Sequence, residues 1–248
     1  MRYVLAPIKF VLFVIGTCGL YLVWFVFSFV IPNGTYWRQL IFTAWTRFFA
    51  SLAGMKIEVI GEPPHPPFFL VANHLSYVDI AALRAVVTGI FVAKKEIDSW
   101  LLAGRMVRGM GNIYIDRGNR RDIPRAGDEI IAKLNEGEGV IVFPEGTSTK
   151  GENVLPFNSS FFEFAARTDL PVSYVSISYR TPEGQPPASQ MICWWDDISF
   201  IEHMLRLFTL QGFTAVLSFG ESEIVNTDRK QLASELRRKV KEKFIPVI

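Results

Sequence analysis

The chain has little of what builds metal centres or covalent cross-links: two cysteines, Cys18 and Cys193, and three histidines among 248 residues. Two cysteines this far apart in sequence, one of them in an apolar N-terminal stretch, make no disulfide framework and suit a reducing compartment. There is no His-Glu-x-x-His and no Cys-x-x-Cys, so no metal site is expected, and no bound cofactor. The absence of Gly-x-Gly-x-x-Gly and of a phosphate-loop lysine motif argues against a dinucleotide or nucleotide enzyme. No Gly-x-Ser-x-Gly nucleophile elbow occurs either, so nothing points to a serine acyl-enzyme. Net charge is only +2, and the chain as a whole is not expected to bind nucleic acid.

What is abundant is apolar surface. Half the residues are hydrophobic, 21 of them phenylalanine. No charged residue occurs between Phe10 and Trp37. As a helix, Phe10 to Ile31 would span roughly 33 Å at about 1.5 Å per residue, enough for a bilayer core. The run is too long for a signal peptide and is followed by no small-x-small cleavage site. Residues 35–53 place Trp37, Ile41, Trp45, Phe48 and Leu52 at helical spacing, an amphipathic helix for a membrane interface or for the domain's own core. Pro32-Asn33-Gly34 is a turn between the two, so a hairpin dipping into one leaflet stands beside a full span. Arg2 and Lys9 on one side, and Arg38 and Arg47 on the other, balance and set no orientation.

From Lys56 onward the pattern becomes that of an α/β domain. Strands are expected at 56–60, 68–72, 90–93, 112–116, 139–143, 172–179, 190–194 and 213–219. Helices are expected at 76–87, 98–108, 122–136, 158–167, 198–209 and from about Asp228. Short buried strands alternating with helices predict a mostly parallel sheet flanked by helices, its chemistry beyond the carboxyl ends of the strands. The division is thus 1–55, membrane helix plus amphipathic helix, and 56–248, the catalytic domain. A chain starting near Lys56 is expected to keep the catalytic fold. The last helix mixes Leu232, Leu236, Val240 and Phe244 with seven basic residues, which reads first as a packed helix with a solvated face.

Two segments fall at strand ends. In Asn73-His74-Leu75-Ser76-Tyr77-Val78-Asp79, the histidine follows the apolar run Phe68–Ala72 and the carboxylate comes five residues later. A carboxylate holding one imidazole nitrogen protonated leaves the other free to take a proton from a hydroxyl. Ser76-x-x-Asp79 also has the form of a capping box, so Ser76 is assigned to capping and Asp79 has a structural role open to it. The second segment is Phe143-Pro144-Glu145-Gly146-Thr147.

Together these resemble the glycerolipid acyltransferases, the family that includes 1-acylglycerol-3-phosphate acyltransferase. His74 and Asp79 match its Asn-His-x-x-x-x-Asp block, Asn112–Gly118 its second, Phe143–Thr147 its third, and Leu170-Pro171-Val172 its fourth, in order along the chain. The resemblance implies transfer of an acyl group from acyl-CoA or acyl carrier protein to a lysolipid hydroxyl at a membrane, with the catalytic domain on the cytoplasmic side. It gives His74 the role of base and Asp79 that of its orienting partner. The block around Glu145, Gly146 and Thr147 is associated with acceptor binding. Gly146 would allow close approach of the ligand, its amide free for an oxyanion. Asn73 would hold the loop or touch substrate. Arg117, at a strand end in a stretch with eight basic and four acidic residues between Lys94 and Arg125, is expected to meet an anionic head group. Lysophosphatidate is the leading acceptor. Phosphatidate-forming members commonly have an arginine where this chain has Ser148, and the continuation Val154–Ser160 looks more like the lyso-ornithine lipid branch.

Overall fold

The computed structural model describes residues 2–99, 101–116, 118–119 and 122–247. Among them, β1 (Met55–Ile60), β2 (Phe68–Ala72), β3 (Gly89–Lys94), β4 (Ile113–Ile115), β5 (Gly139–Val142), β6 (Val172–Arg180) and β7 (Phe213–Phe219) form one sheet. The strand order is β1-β7-β6-β2-β5-β3-β4. Every neighbouring pair is parallel except β6 with β7. This is the mostly parallel α/β sheet the sequence predicts. β2 lies in the middle and is buried on both faces, which is why its residues read as an unbroken apolar run. Phe68, Leu70 and Ala72 enter one core, while Phe69 and Val71 enter the other.

The first core is covered by α1 (Arg2–Phe27), α2 (Gly34–Ala53), α3 (Val78–Arg84) and α8 (Phe200–Phe208). The second is covered by α5 (Asp122–Asn135), α6 (Glu163–Arg167) and α9 (Arg229–Lys243), with Leu232, Leu236 and Val240 of α9 buried. Between these lie α4 (Leu101–Gly109), preceded by a 3-10 turn at Lys95–Ser99, and the short α7 (Ala188–Met191).

The N-terminal helices belong to the first core. α2 starts at Asn33, whose side chain accepts from the Tyr36 amide at 2.9 Å, and ends at Gly54 with φ 70°. Phe42, Phe49 and Ala53 are buried against the domain, so the amphipathic face settles on protein. Burying an aromatic such as Phe49 contributes roughly 1.5–3 kcal/mol. α1 lies along α2: the Phe13 ring packs 5.8 Å from Phe49 and 6.3 Å from Phe208, and the Trp45 indole donates to Thr17 at 3.1 Å. Near its end, Trp24 sits where a side chain on Gly109 would collide with its ring. The opposite side of α1 is exposed and apolar, Ile8, Val11, Ile15 and Leu22 among it.

Four expectations change. Arg38, read as a membrane-flanking charge, is buried and ion-paired with buried Glu138, which also accepts from Gln39 at 2.9 Å. Arg84 of α3 donates to the Gln39 carbonyl and the Thr43 hydroxyl of α2, 3.2 and 3.1 Å away, and its guanidinium lies 4.7 Å over the Phe42 ring. Burial, aided by nearby Arg38, lowers the Arg84 pKa to about 10. These contacts make residues 34–53 a structural part of the catalytic domain, so a chain starting near Lys56 is not expected to keep the fold. Segment 190–194 is no strand: it closes α7 and then runs irregularly, the Trp194 amide donating to the Leu75 carbonyl at 2.8 Å. The helix expected at 76–87 is shorter, because residues 73–77 form a loop around Asp79.

Candidate active site

β2 pairs with β6 as far as Ala72 opposite Val175. Asn73 continues the pairing with its side chain: its amide nitrogen donates to the Ile177 carbonyl at 2.9 Å, and its oxygen accepts from the Ile177 amide at 2.7 Å. At 1 % exposure it has no open polar face, so of its two possible roles the geometry uses it for the loop. The chain then turns, and three donors converge on one oxygen of Asp79. His74 Nδ1 is 2.7 Å from Oδ2, the Leu75 amide 2.7 Å and the Ser76 amide 3.0 Å. The second oxygen accepts the Tyr179 hydroxyl at 2.7 Å. Asp79 is wholly buried, so these four bonds satisfy a carboxylate that water cannot reach. Nδ1 of His74 therefore carries the proton, and Nε2 is the acceptor. The imidazole stacks on the Phe143 ring at 4.1 Å and is 22 % exposed.

Half of the expected capping box is present. Asp79 takes the Ser76 amide, but the Ser76 hydroxyl caps nothing: it is buried with no partner among the described residues, and Tyr77 precedes α3.

Glu145 supports the same loop from β5. One oxygen accepts the His74 amide at 2.7 Å and the other the Leu155 amide at 2.8 Å. Its carboxylate clamps the backbone of His74, a contact the sequence reading did not anticipate. Burial pushes its pKa up to about 7, against those two bonds, which pull it down. The folded state thus holds a proton that the unfolded chain, at its ordinary value of 4.5, has released. That contribution to stability is complete below about pH 4.5 and is lost as pH rises through about 7, by roughly 3 kcal/mol. Denaturation measured from pH 4 to 8 should show this fall, and Glu145→Gln should flatten it.

Gly146 has φ 78°, as its turn requires, but its amide donates to the Phe143 carbonyl at 3.1 Å. It closes the turn and is not free for an oxyanion. Thr147 is exposed beside this loop, and the Thr149 amide donates to the His74 carbonyl at 3.0 Å. Arg117 lies outside the described residues. Among the described residues, Lys95, Arg108, Tyr114, Asp122 and Arg125 line a cleft of about 280 Å³. It lies at the β4 edge, three strands from β2. Two of its cations meet anions: Lys95 is 3.6 Å from Asp116, and Arg125 binds Asp122 and Glu129.

The sequence reading also missed Tyr179, and it named Phe143 as part of a block without its stacking on His74. Tyr179 follows the alternation of β6 into the first core, but nothing local links it to a carboxylate 100 residues earlier. Burial, and then the Asp79 charge, hold its phenol far above its ordinary pKa, so it stays a donor. Tyr179→Phe should lower kcat about tenfold with acceptor KM little changed, since one hydrogen bond that fixes Asp79 is lost. An unaltered kcat would mean that Asp79 needs no support from β6.

The family model described as Acyltransferase matches residues 56–178. The lyso-ornithine lipid O-acyltransferase of Rhizobium meliloti is 31% identical over 206 residues, 78% of this chain and 70% of that protein. The 1-acyl-sn-glycerol-3-phosphate acyltransferase of Neisseria gonorrhoeae is 32% identical over 202 residues, 77% of this chain and 76% of that one. Among solved structures, the crystal structure of the 1-acyl-sn-glycerophosphate (LPA) acyltransferase PlsC from Thermotoga maritima superposes with a TM-score of 0.69 at 23% identity, covering 98% of both chains. That likeness shows the fold.

Proposed function

The chain belongs to the acyltransferase family, and from that premise we propose that it moves an acyl group from acyl-CoA or acyl carrier protein to the hydroxyl of a lysolipid at a membrane surface. Its place is in phospholipid biosynthesis and lipid metabolism. The observation that carries the mechanism is His74 Nδ1 held 2.7 Å from buried Asp79, with Nε2 as the proton acceptor. Nε2 takes the proton of the acceptor hydroxyl as its oxygen attacks the thioester carbonyl. Asp79 stabilises the imidazolium that results. The tetrahedral intermediate collapses, the carbon–sulfur bond breaks, and the leaving thiolate takes the proton from the imidazolium. A thioester is already activated, so the protein supplies a base and holds both reactants in place. No covalent enzyme intermediate is needed.

The membrane setting rests on α1. It is the one helix among the described residues long and apolar enough to cross a bilayer, judged by length and composition. Its contacts with the domain run from Ala6 to Trp24, so both ends lie against the same body. This favours a hairpin inserted into one leaflet over a full span, with the domain on the cytoplasmic side where the acyl donors are. Alkaline carbonate should leave the protein with membranes. Release by salt alone would contradict insertion.

To test the reaction, detergent-purified protein is given a labelled acyl thioester and a panel of lysolipids. Label appearing in a diacylated lipid is the expected result. Thioester loss to water at the same rate with or without lysolipid would make the protein a hydrolase.

A further inference from the structure

A second histidine stands behind the catalytic loop. His203, on α8, is fully buried. Its Nε2 lies 3.1 Å from the Cys193 carbonyl, and a carbonyl only accepts, so Nε2 carries a proton. Burial lowers its pKa and keeps the imidazole neutral, which leaves Nδ1 an acceptor. The Tyr77 hydroxyl donates to Nδ1 at 2.9 Å. The Met204 sulfur, 3.6 Å from the same hydroxyl, is the weaker acceptor. Tyr77 belongs to the loop between His74 and Asp79. Its ring is enclosed by Phe200, His203 and Trp194, with centroids 4.9, 5.4 and 5.5 Å away.

These bonds close a circuit through two rigid peptide planes. In the Cys193–Trp194 peptide, the amide donates to the Leu75 carbonyl at 2.8 Å while the carbonyl takes His203. In the Leu75–Ser76 peptide, the carbonyl takes Trp194 while the amide donates to Asp79 Oδ2 at 3.0 Å. His203 then takes Tyr77, the residue that follows Ser76. The Leu75 and Ser76 amides are two of the three donors on Oδ2, and His74 Nδ1 is the third. The plane that sets the Ser76 amide is thus held from both sides, by Trp194 and by Tyr77.

We propose that His203 is a positioning residue for acyl transfer: acting through Tyr77, it fixes the Leu75–Ser76 peptide against Asp79, and so the direction in which His74 presents Nε2 to the acceptor hydroxyl. The inference rests on the reading of His74 as the base. A bond needed only for stability would lower the melting temperature and leave the turnover of the folded protein alone. A positioning bond lowers kcat, because the base must sit within about 3 Å of the acceptor oxygen and in line with its proton. Binding of acceptor and donor does not depend on it, so both KM values stay.

The test measures kcat, both KM values and melting for the full chain with a labelled acyl thioester and the lysolipid it uses best. The proteins are the parent, Tyr77→Phe, His203→Leu, the two changes combined, His203→Asn and His74→Ala. Leucine removes both bonds of His203. Asparagine restores an oxygen near the place of Nδ1 for Tyr77. Tyr77→Phe and His203→Leu should each lower kcat about tenfold, with both KM values within about twofold of the parent. The double variant should also lose about tenfold rather than a hundredfold, since both changes break one bond. His203→Asn should bring kcat to within about threefold of the parent. A parent-like kcat in Tyr77→Phe, losses that multiply in the double variant, or an asparagine no better than leucine overturns the role of His203 and leaves His74 as the base. If His203→Leu does not fold, Tyr77→Phe, which keeps the enclosed ring, decides by the same criterion. Near-parent turnover in His74→Ala overturns the base itself, and the inference falls with it.

Discussion

His74→Ala should lower turnover by about a hundred- to ten-thousandfold while the protein stays folded, since a positioned general base contributes about 10²–10⁴-fold. The fold survives because Asp79 is not orphaned. Without the imidazole it still accepts from the Leu75 and Ser76 amides and the Tyr179 hydroxyl. The His74 backbone also stays clamped by Glu145. Melting and turnover of variant and parent separate the two effects. Asp79→Asn sharpens the comparison. An asparagine oxygen can keep the bonds from the loop but brings no charge to the imidazolium, so turnover should fall sharply where stability falls less. A variant with normal specific activity and only a lower melting point would leave Asp79 nothing but its role in shaping the loop.

The second large effect concerns the N-terminal helices. A chain lacking residues 1–54 should not give a soluble folded domain. Deletion uncovers Phe208, which Phe13 and Phe49 cover, and strips buried Glu138 of Arg38 and Gln39. Arg84 loses the Gln39 carbonyl, the Thr43 hydroxyl and the Phe42 ring. A buried charge deprived of its partner costs about 3–5 kcal/mol, a large part of the 5–15 kcal/mol that stabilises a typical domain. Arg38→Ala alone should therefore lower the melting temperature by about 10 °C. Combining it with Glu138→Leu should recover much of that loss, because removing both charges leaves neither unpaired. Cooperative melting of the truncated chain, with near-parent turnover on detergent-dispersed acceptor, would return α1 and α2 to the role of a detachable anchor.

Features set by neighbours in sequence could be read before any coordinates. The run Phe68–Ala72 and the stretch 213–219 are strands, as their apolar patterns require, and residues 35–53 form a helix with one buried face. His74 and Asp79 were legible as a pair because they are only five positions apart and one short turn brings them together. What lay hidden depends on partners about 100 positions away. Arg38 reads as a surface charge until Glu138 meets it, and Tyr179 as a core residue until Asp79 does. Glu145 was found, but its work on the His74 amide was not, since a side chain bonded to a backbone leaves no pattern in sequence. Segment 190–194 was misread because Met191, Ile192 and Cys193 are a short apolar run, and such a run is buried equally well as a helical turn or as a strand.

The central claim is that His74 activates the acceptor hydroxyl for direct attack on a thioester. It is tested most directly by mixing the purified protein with excess acyl thioester, first alone and then with lysolipid, while following thiol release and the intact mass of the protein. With the thioester alone no burst and an unmodified mass are expected, then one thiol released for each lipid acylated once lysolipid is added. A burst of about one thiol per protein before lysolipid is added, with the protein heavier by one acyl group, would contradict it.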